Sequence, residues 1–167
     1  LKERRQLENT LIIFQSDNGP EARSAIPEFG HGADNRLENV GRPGSFALPG
    51  KGWGAASSAA YYRHKNHTTE GGIRVPSIIG GGAVQATPGR SDALIVSYDI
   101  APTILELASG EENSIRRDSF LSMSGTSFAD LIRGDHKYLP RSGDEAIGRA
   151  HAGHGAIRQG DWKLLWV

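Results

Sequence analysis

A chain of 167 residues carrying 19 Lys and Arg against 19 Asp and Glu is long enough for one ordinary domain with a buried core. Its zero formal charge leaves no long-range field to gather nucleic acid or an anionic membrane, so any anion has to be recognised locally. No run approaches the roughly 18 apolar residues of a bilayer span, and the absence of cysteine excludes disulfides, thiolate metal sites and a cysteine nucleophile while leaving the compartment of a periplasmic, secreted or cytoplasmic parent open.

The start, Leu1 to Arg5, has neither an initiator Met nor the apolar run of a signal peptide. Leu11 to Phe14 is a continuous apolar run closed by Ser16, Asp17, Asn18, Gly19 and Pro20, which predicts a strand covered on both faces, as in a parallel sheet flanked by helices. From Gly19 to Gly54 the chain is rich in Gly, Pro, Asn and Ser without periodicity and reads as a long ordered loop. A short helix is expected over Ala55 to His64 and a second strand over Ile73 to Ile79. Leu94 to Val96 gives a third apolar run. After it Asp99 is placed to cap a helix whose apolar face is Ile100, Ile104, Leu107 and Ala108, with Pro102 tolerated in the first turn. A shorter helix from Phe128 to Arg133 stops at Gly134. Ala156 to Arg158 and Trp162 to Trp166 read as a hairpin turning at Gln159, Gly160 and Asp161, with Trp162 and Trp166 on one face and accounted for by core packing. That last segment breaks off inside the strand, so both ends read as internal to a longer chain. The order of elements predicts the end of an α/β sheet over residues 1–110, followed by a linker and the start of a small antiparallel subdomain over 111–167.

Two residue groups carry candidate chemistry. Asp17 and Asn18, adjacent at a strand end where α/β sheets place their ligands, offer one ionised and one neutral hard oxygen donor, suited to calcium or magnesium far better than to zinc. The same four residues, Asp17 to Pro20, also compose an ordinary turn. Lys65 lies five positions before Glu70, Gly71 and Gly72, and a lysine can hold an anionic oxygen as a point charge, although an isolated lysine is usually solvated. His64 and His67 flank Lys65, and His67 is a candidate for lining a substrate pocket. His151 and His154 sit in a Gly-rich stretch without carboxylate support and are not read as metal ligands. His31, in the long loop, is assigned no role. Arg74 is read as a structural ion-pair partner, and Glu70 as a residue that orders its loop.

The combination resembles the second half of the sulfatase family. The run Asn9 to Phe14 leads into Ser16-Asp17-Asn18-Gly19, and Lys65-x-x-x-x-Glu70-Gly71-Gly72-Ile73-Arg74-Val75-Pro76 follows in the same order and spacing. Asn39 to Ser45, Asp99 to Thr103 and Ala156 to Lys163 resemble the bacterial arylsulfatase branch, so that the likeness covers nearly the whole chain. The resemblance implies an alkaline phosphatase-like fold, with a mixed, mostly parallel sheet flanked by helices. It implies hydrolysis of a small-molecule sulfate ester, Asp17 and Asn18 as ligands of calcium (or magnesium), and Lys65 as the catalytic and substrate-binding cation. In this family the nucleophile is a hydrated formylglycine made within a Cys/Ser-x-Pro/Ala-x-Arg motif. That motif, the paired upstream aspartates and the upstream lysine and histidines are absent from these residues. The expectation is therefore a partner in the N-terminal half of the same enzyme, and no turnover by this stretch alone. Two rivals stand beside the sulfuric-ester hydrolase: a phosphonate or phosphate monoester hydrolase of the same superfamily, and a non-catalytic module that never had a nucleophile.

Overall fold

The computed structural model describes residues 1–24, 32–85, 87, 89–109, 123–135, 141 and 144–166. They fall into two units, Leu1–Phe14 with Ile78–Glu145 and Gln15–Ser77 with Ala146–Val167. His31, set aside above, lies outside the described residues.

In the first unit the expected strand is present as β1 (Ile12–Gln15), paired with β2 (Ser77–Gly80) in a two-stranded sheet. β2 is shorter than predicted because its first half is used elsewhere. Of the mostly parallel sheet expected, the described residues hold this pair, and Phe14 is 67% exposed instead of covered on both faces. Two strands alone offer too little neighbouring surface to bury either face. Leu94 to Val96 forms no strand. Val96 is buried, and its backbone N–H is taken by the Asp99 carboxylate at 2.9 Å rather than by a neighbouring strand.

Helix α3 (Ile100–Ser109) follows a 3-10 turn over Ser97–Asp99; α1 and α2 belong to the second unit. Its buried side is turned away from the one predicted: Thr103 and Glu106 are buried, Ile100 and Leu107 of the predicted face are half-buried, and Ile104 and Ala108 are exposed. The reason is tertiary. Thr103 accepts the Phe128 N–H at 3.0 Å and donates to the Asp99 carbonyl at 2.6 Å, and Glu106 pairs with Arg133. Fully buried Asp99 accepts the Thr126 N–H and an ion pair from buried Arg141. Helix α4 (Ala129–Arg133) stops where Gly134 turns left-handed at φ 107°, as its sequence requires. Phe128, Ala129 and Ile132 form the apolar core beside it.

In the second unit α1 runs over Gly50–Ser58, five residues earlier than predicted, with Pro49 just before it in a helix-compatible backbone. One-turn helix α2 (Glu70–Ile73) takes the start of the predicted second strand. Three antiparallel strands close the unit: β3 (Ala146–His151), β4 (His154–Gln159) and β5 (Trp162–Trp166), in that order. The hairpin of β4 and β5 was legible. β3 was not, because Ile147 is its one large buried apolar residue. His151 and His154 are thus opposite one another across a tight turn. Ala152 (φ 51°) and Gly153 (φ 83°) supply the two positive φ values such a turn demands. The tryptophans are not core residues in this chain, with Trp162 85% and Trp166 47% exposed. Trp166 instead spreads its ring over its cross-strand partner Gly155, where a Cβ would come within 1.8 Å of the ring.

Candidate functional site

All the candidate residues lie in the second unit, and a backbone junction holds them. Leaving β1, Ser16 donates its N–H to the Pro76 carbonyl and its hydroxyl to the Asn18 carbonyl at 2.9 Å. Gly19 donates to the Gly72 carbonyl at 2.9 Å, and Lys65 donates its N–H to the Pro20 carbonyl at 3.1 Å. The segments carrying Asp17, Lys65 and Glu70 are therefore tied to one another main chain to main chain. Glycine makes this approach feasible. A Cβ on Gly19 would fall 1.8 Å from the Gly71 carbonyl oxygen, and one on Gly71 would fall 1.9 Å from that of Arg63, both far inside contact distance.

The metal candidates meet the requirement of available oxygen. Asp17 is exposed, and among the described residues its carboxylate makes no hydrogen bond or ion pair. Asn18 spends its amide N–H on the Gly19 carbonyl at 2.7 Å, leaving Oδ1 unengaged. One ionised and one neutral oxygen, side by side and uncommitted, fit a hard divalent cation. They form a partial set: among the described residues no group of three or more His, Asp or Glu is placed to hold a metal.

Lys65 is half-buried, and its ammonium stands 3.8 Å from the Glu21 carboxylate. Glu21 is held down to about 2 by the Arg23 side chain above all, with burial opposing and the backbone N–H groups of Arg23 and Ala22 assisting. The carboxylate beside the lysine is thus ionised throughout the physiological range. Glu70, read as a loop-ordering residue, receives the Lys163 ammonium at 2.7 Å. Sequence reasoning did not single out Lys163, whose only signal was its place in the run Gly160-Asp161-Trp162-Lys163. Arg74 has no carboxylate partner among the described residues and instead stacks its guanidinium over Tyr61 at 4.9 Å, a correction to the ion pair expected for it. Asn18, Glu21, Ser58, Tyr61 and Arg74 share the wall of a cleft of about 660 Å³. Asp17 and Lys65 are not on that wall, so the cleft adjoins the candidate chemistry without enclosing it.

His67 directs Nδ1 to the carbonyls of His64 and Lys65, both at 3.2 Å. The ring of His154, from β4, lies 5.3 Å from it. Thr68 and Thr69 are buried beside it in sequence, with hydroxyls that have no partner.

Among known proteins, the sulfatase family model matches residues 1–111. The chain belongs to the sulfatase family. It is 35% identical over 174 aligned residues to an uncharacterized sulfatase of Schizosaccharomyces pombe, covering 97% of this chain and 30% of that protein. It is 36% identical over 139 residues to an arylsulfatase of Klebsiella aerogenes, covering 78% of this chain and again 30% of the relative. This sulfatase chain thus spans about 30% of the length of the curated relatives it matches. Family membership brings the expectation of an alkaline phosphatase-like α/β architecture, of which the helices and small sheets described above are this chain's share.

Proposed function

We propose that the chain forms part of a sulfuric-ester hydrolase of the arylsulfatase type, in which Asp17 and Asn18 hold a calcium ion and Lys65 holds a sulfate oxygen. The observation that carries this reading is the junction itself. Two uncommitted oxygen donors and a lysine are fixed on segments joined by the hydrogen bonds Gly19 to Gly72 and Lys65 to Pro20, within a chain of the sulfatase family. The match over residues 1–111 supports assigning residues 1–110 to the catalytic domain and 111–167 to the linker and start of a C-terminal subdomain.

On this reading the chain's own contribution is electrostatic. Lys65 meets negative charge on the sulfate and on the leaving oxygen as the ester bond breaks, in a position set by its backbone rather than by solvent. Glu21 places a negative charge beside the lysine, and the Glu70–Lys163 pair fixes the loop that follows it. Calcium, when bound, neutralises further sulfate oxygens. The nucleophile and the remaining metal ligands come from the N-terminal part of the same enzyme.

The test is steady-state hydrolysis of 4-nitrophenyl sulfate and 4-nitrophenyl phosphate by the full-length enzyme and by these 167 residues alone. The full-length enzyme should prefer the sulfate, Lys65→Ala should lower its kcat/KM by about 10²- to 10³-fold, and the 167 residues should show no turnover. A higher kcat/KM on the phosphate would assign the chain to the phosphoryl branch of the superfamily. Turnover by the short chain that Lys65→Ala abolishes would show that its chemistry is complete without the N-terminal part.

A further inference from the structure

Lys163 reaches the segment after Lys65 from the far end of the chain. Its ammonium meets the Glu70 carboxylate with the two side chains only 16% and 30% exposed, so salt screens this pair less than one at the surface. Glu70 opens α2, a single turn that cannot hold itself. A helix this short makes too few internal hydrogen bonds to offset the entropy of fixing its backbone, and Thr69 just before it provides no side-chain cap. Its place therefore depends on tertiary contacts. Gly71 donates to the Tyr62 carbonyl at 3.1 Å, and the Gly72 carbonyl takes the N–H of Gly19, the residue after Asn18, at 2.9 Å. A Cβ on Gly72 would lie 2.1 Å from the His67 carbonyl oxygen, so α2 has no slack toward the Lys65 loop. Displacing α2 displaces the backbone beside Lys65 and the backbone beside Asn18 together.

The sheet has its own need for this contact. β4 and β5 place Arg158 directly opposite Lys163, and like charges in that position are destabilising. Arg158 turns Nε to the Gly160 carbonyl at 3.1 Å, and among the described residues Glu70 is the one carboxylate that pairs with either cation. We infer that Lys163 is a positioning residue for the reaction: through Glu70 it anchors α2 to β5 and so fixes the spacing between Lys65 and the calcium donors Asp17 and Asn18. The inference rests on the proposed sulfatase reading and extends its site to the antiparallel sheet. Lys163 acts through Glu70 and not on the ester itself. The two halves of the pair are unequal, because removing the Glu70 charge leaves Arg158 and Lys163 opposed, whereas removing the Lys163 charge also removes the repulsion.

The experiment measures two quantities on the full-length enzyme: the calcium dissociation constant, by calorimetry on the metal-free protein, and kcat/KM on 4-nitrophenyl sulfate at saturating calcium. Lys163→Met should raise the first and lower the second by about tenfold each, and Glu70→Gln should do both to a greater extent. Lys163→Arg, which keeps the charge, should restore most of both. Glu70→Gln, a change of one carboxylate oxygen to an amide, carries the comparison should Lys163→Met fail to fold. Variants that melt at a lower temperature but keep the calcium affinity and kcat/KM of the unmodified enzyme overturn the inference and leave the sulfatase reading intact, because the pair then serves stability alone. A Lys163→Arg enzyme as impaired as Lys163→Met overturns it too, since the charge is then not the agent. An unmodified enzyme that hydrolyses no sulfate ester overturns the sulfatase reading and the inference with it.

Discussion

Lys65 and Glu21 stand 3.8 Å apart, longer than a hydrogen bond, so Glu21 acts on the lysine as a nearby charge rather than as a clamp. Because Arg23 holds the Glu21 carboxyl down to about 2 from an ordinary 4.5, the folded chain favours the ionised form more than the unfolded chain does. A carboxyl with a depressed folded value contributes stability that is present in full above pH 4.5 and is lost as pH falls toward 2. Comparing urea unfolding of the unmodified chain and Glu21→Gln at about pH 6 and about pH 3 reads this directly: the gap in unfolding free energy should be larger at the higher pH. A gap that widens on acidification would show that Glu21 is not the stabilised carboxylate. Asp17 presents the converse case, a carboxylate with no partner to lose. With two of the six to eight oxygens that calcium takes, this chain alone should bind calcium no tighter than about millimolar, with backbone NMR shifts centred on Asp17 to Gly19. Asp17→Ala should abolish those shifts, and shifts that persist in the variant would place the cation elsewhere.

At the scale of elements, the segment from Val96 to Arg141 is held by a polar knot rather than by the apolar face its sequence suggests. Asp99 is fully buried and accepts from Val96, Thr126 and Arg141. Removing one partner strands the others in a low-dielectric interior. Asp99→Ala should therefore cost about 3–5 kcal/mol of stability, against about 1 kcal/mol for an exposed change such as Ile104→Ala in the same helix, as measured by chemical denaturation. Equal costs would restore the predicted face. The contrast shows what the sequence could carry. β1, α4 and the β4–β5 hairpin were legible because an apolar run, a terminal Gly134 and the turn at Gly160 are local signals. The buried face of α3 was not, because Thr103 and Glu106 are buried only by virtue of Phe128 and Arg133, more than twenty residues on. The site divides the same way. Asp17, Asn18 and Lys65 are proposed on a family resemblance carried by their order and spacing to Glu70, Gly71 and Gly72. His154 and Lys163 reach that loop through strand pairing, which no spacing in a single segment records.

At the scale of the whole molecule, the exposed side chains and the charge balance act together. Phe14 and Ile78 in one unit, and Trp162 and Leu164 in the other, stand in water on strands whose pattern calls for cover. On the proposed reading, the rest of a sulfatase about three times this length supplies that cover. Isolated from it, the chain has apolar strand faces to offer a second copy, and nothing in its net charge opposes the encounter near its pI of about 7.2. Light scattering of the 17.9 kDa chain should therefore show self-association greatest near pH 7 and reduced at about pH 5 and about pH 9, where net charge of either sign returns. Phe14→Lys together with Trp162→Lys should weaken association at every pH, because both changes remove apolar surface from the exposed strands and add charge. Co-expression with the N-terminal part of the enzyme should suppress association without any substitution and yield a one-to-one complex. A unmodified chain that stays monomeric at pH 7 would mean that these strand faces need no partner, and would remove the structural reason for expecting the N-terminal part to dock on them.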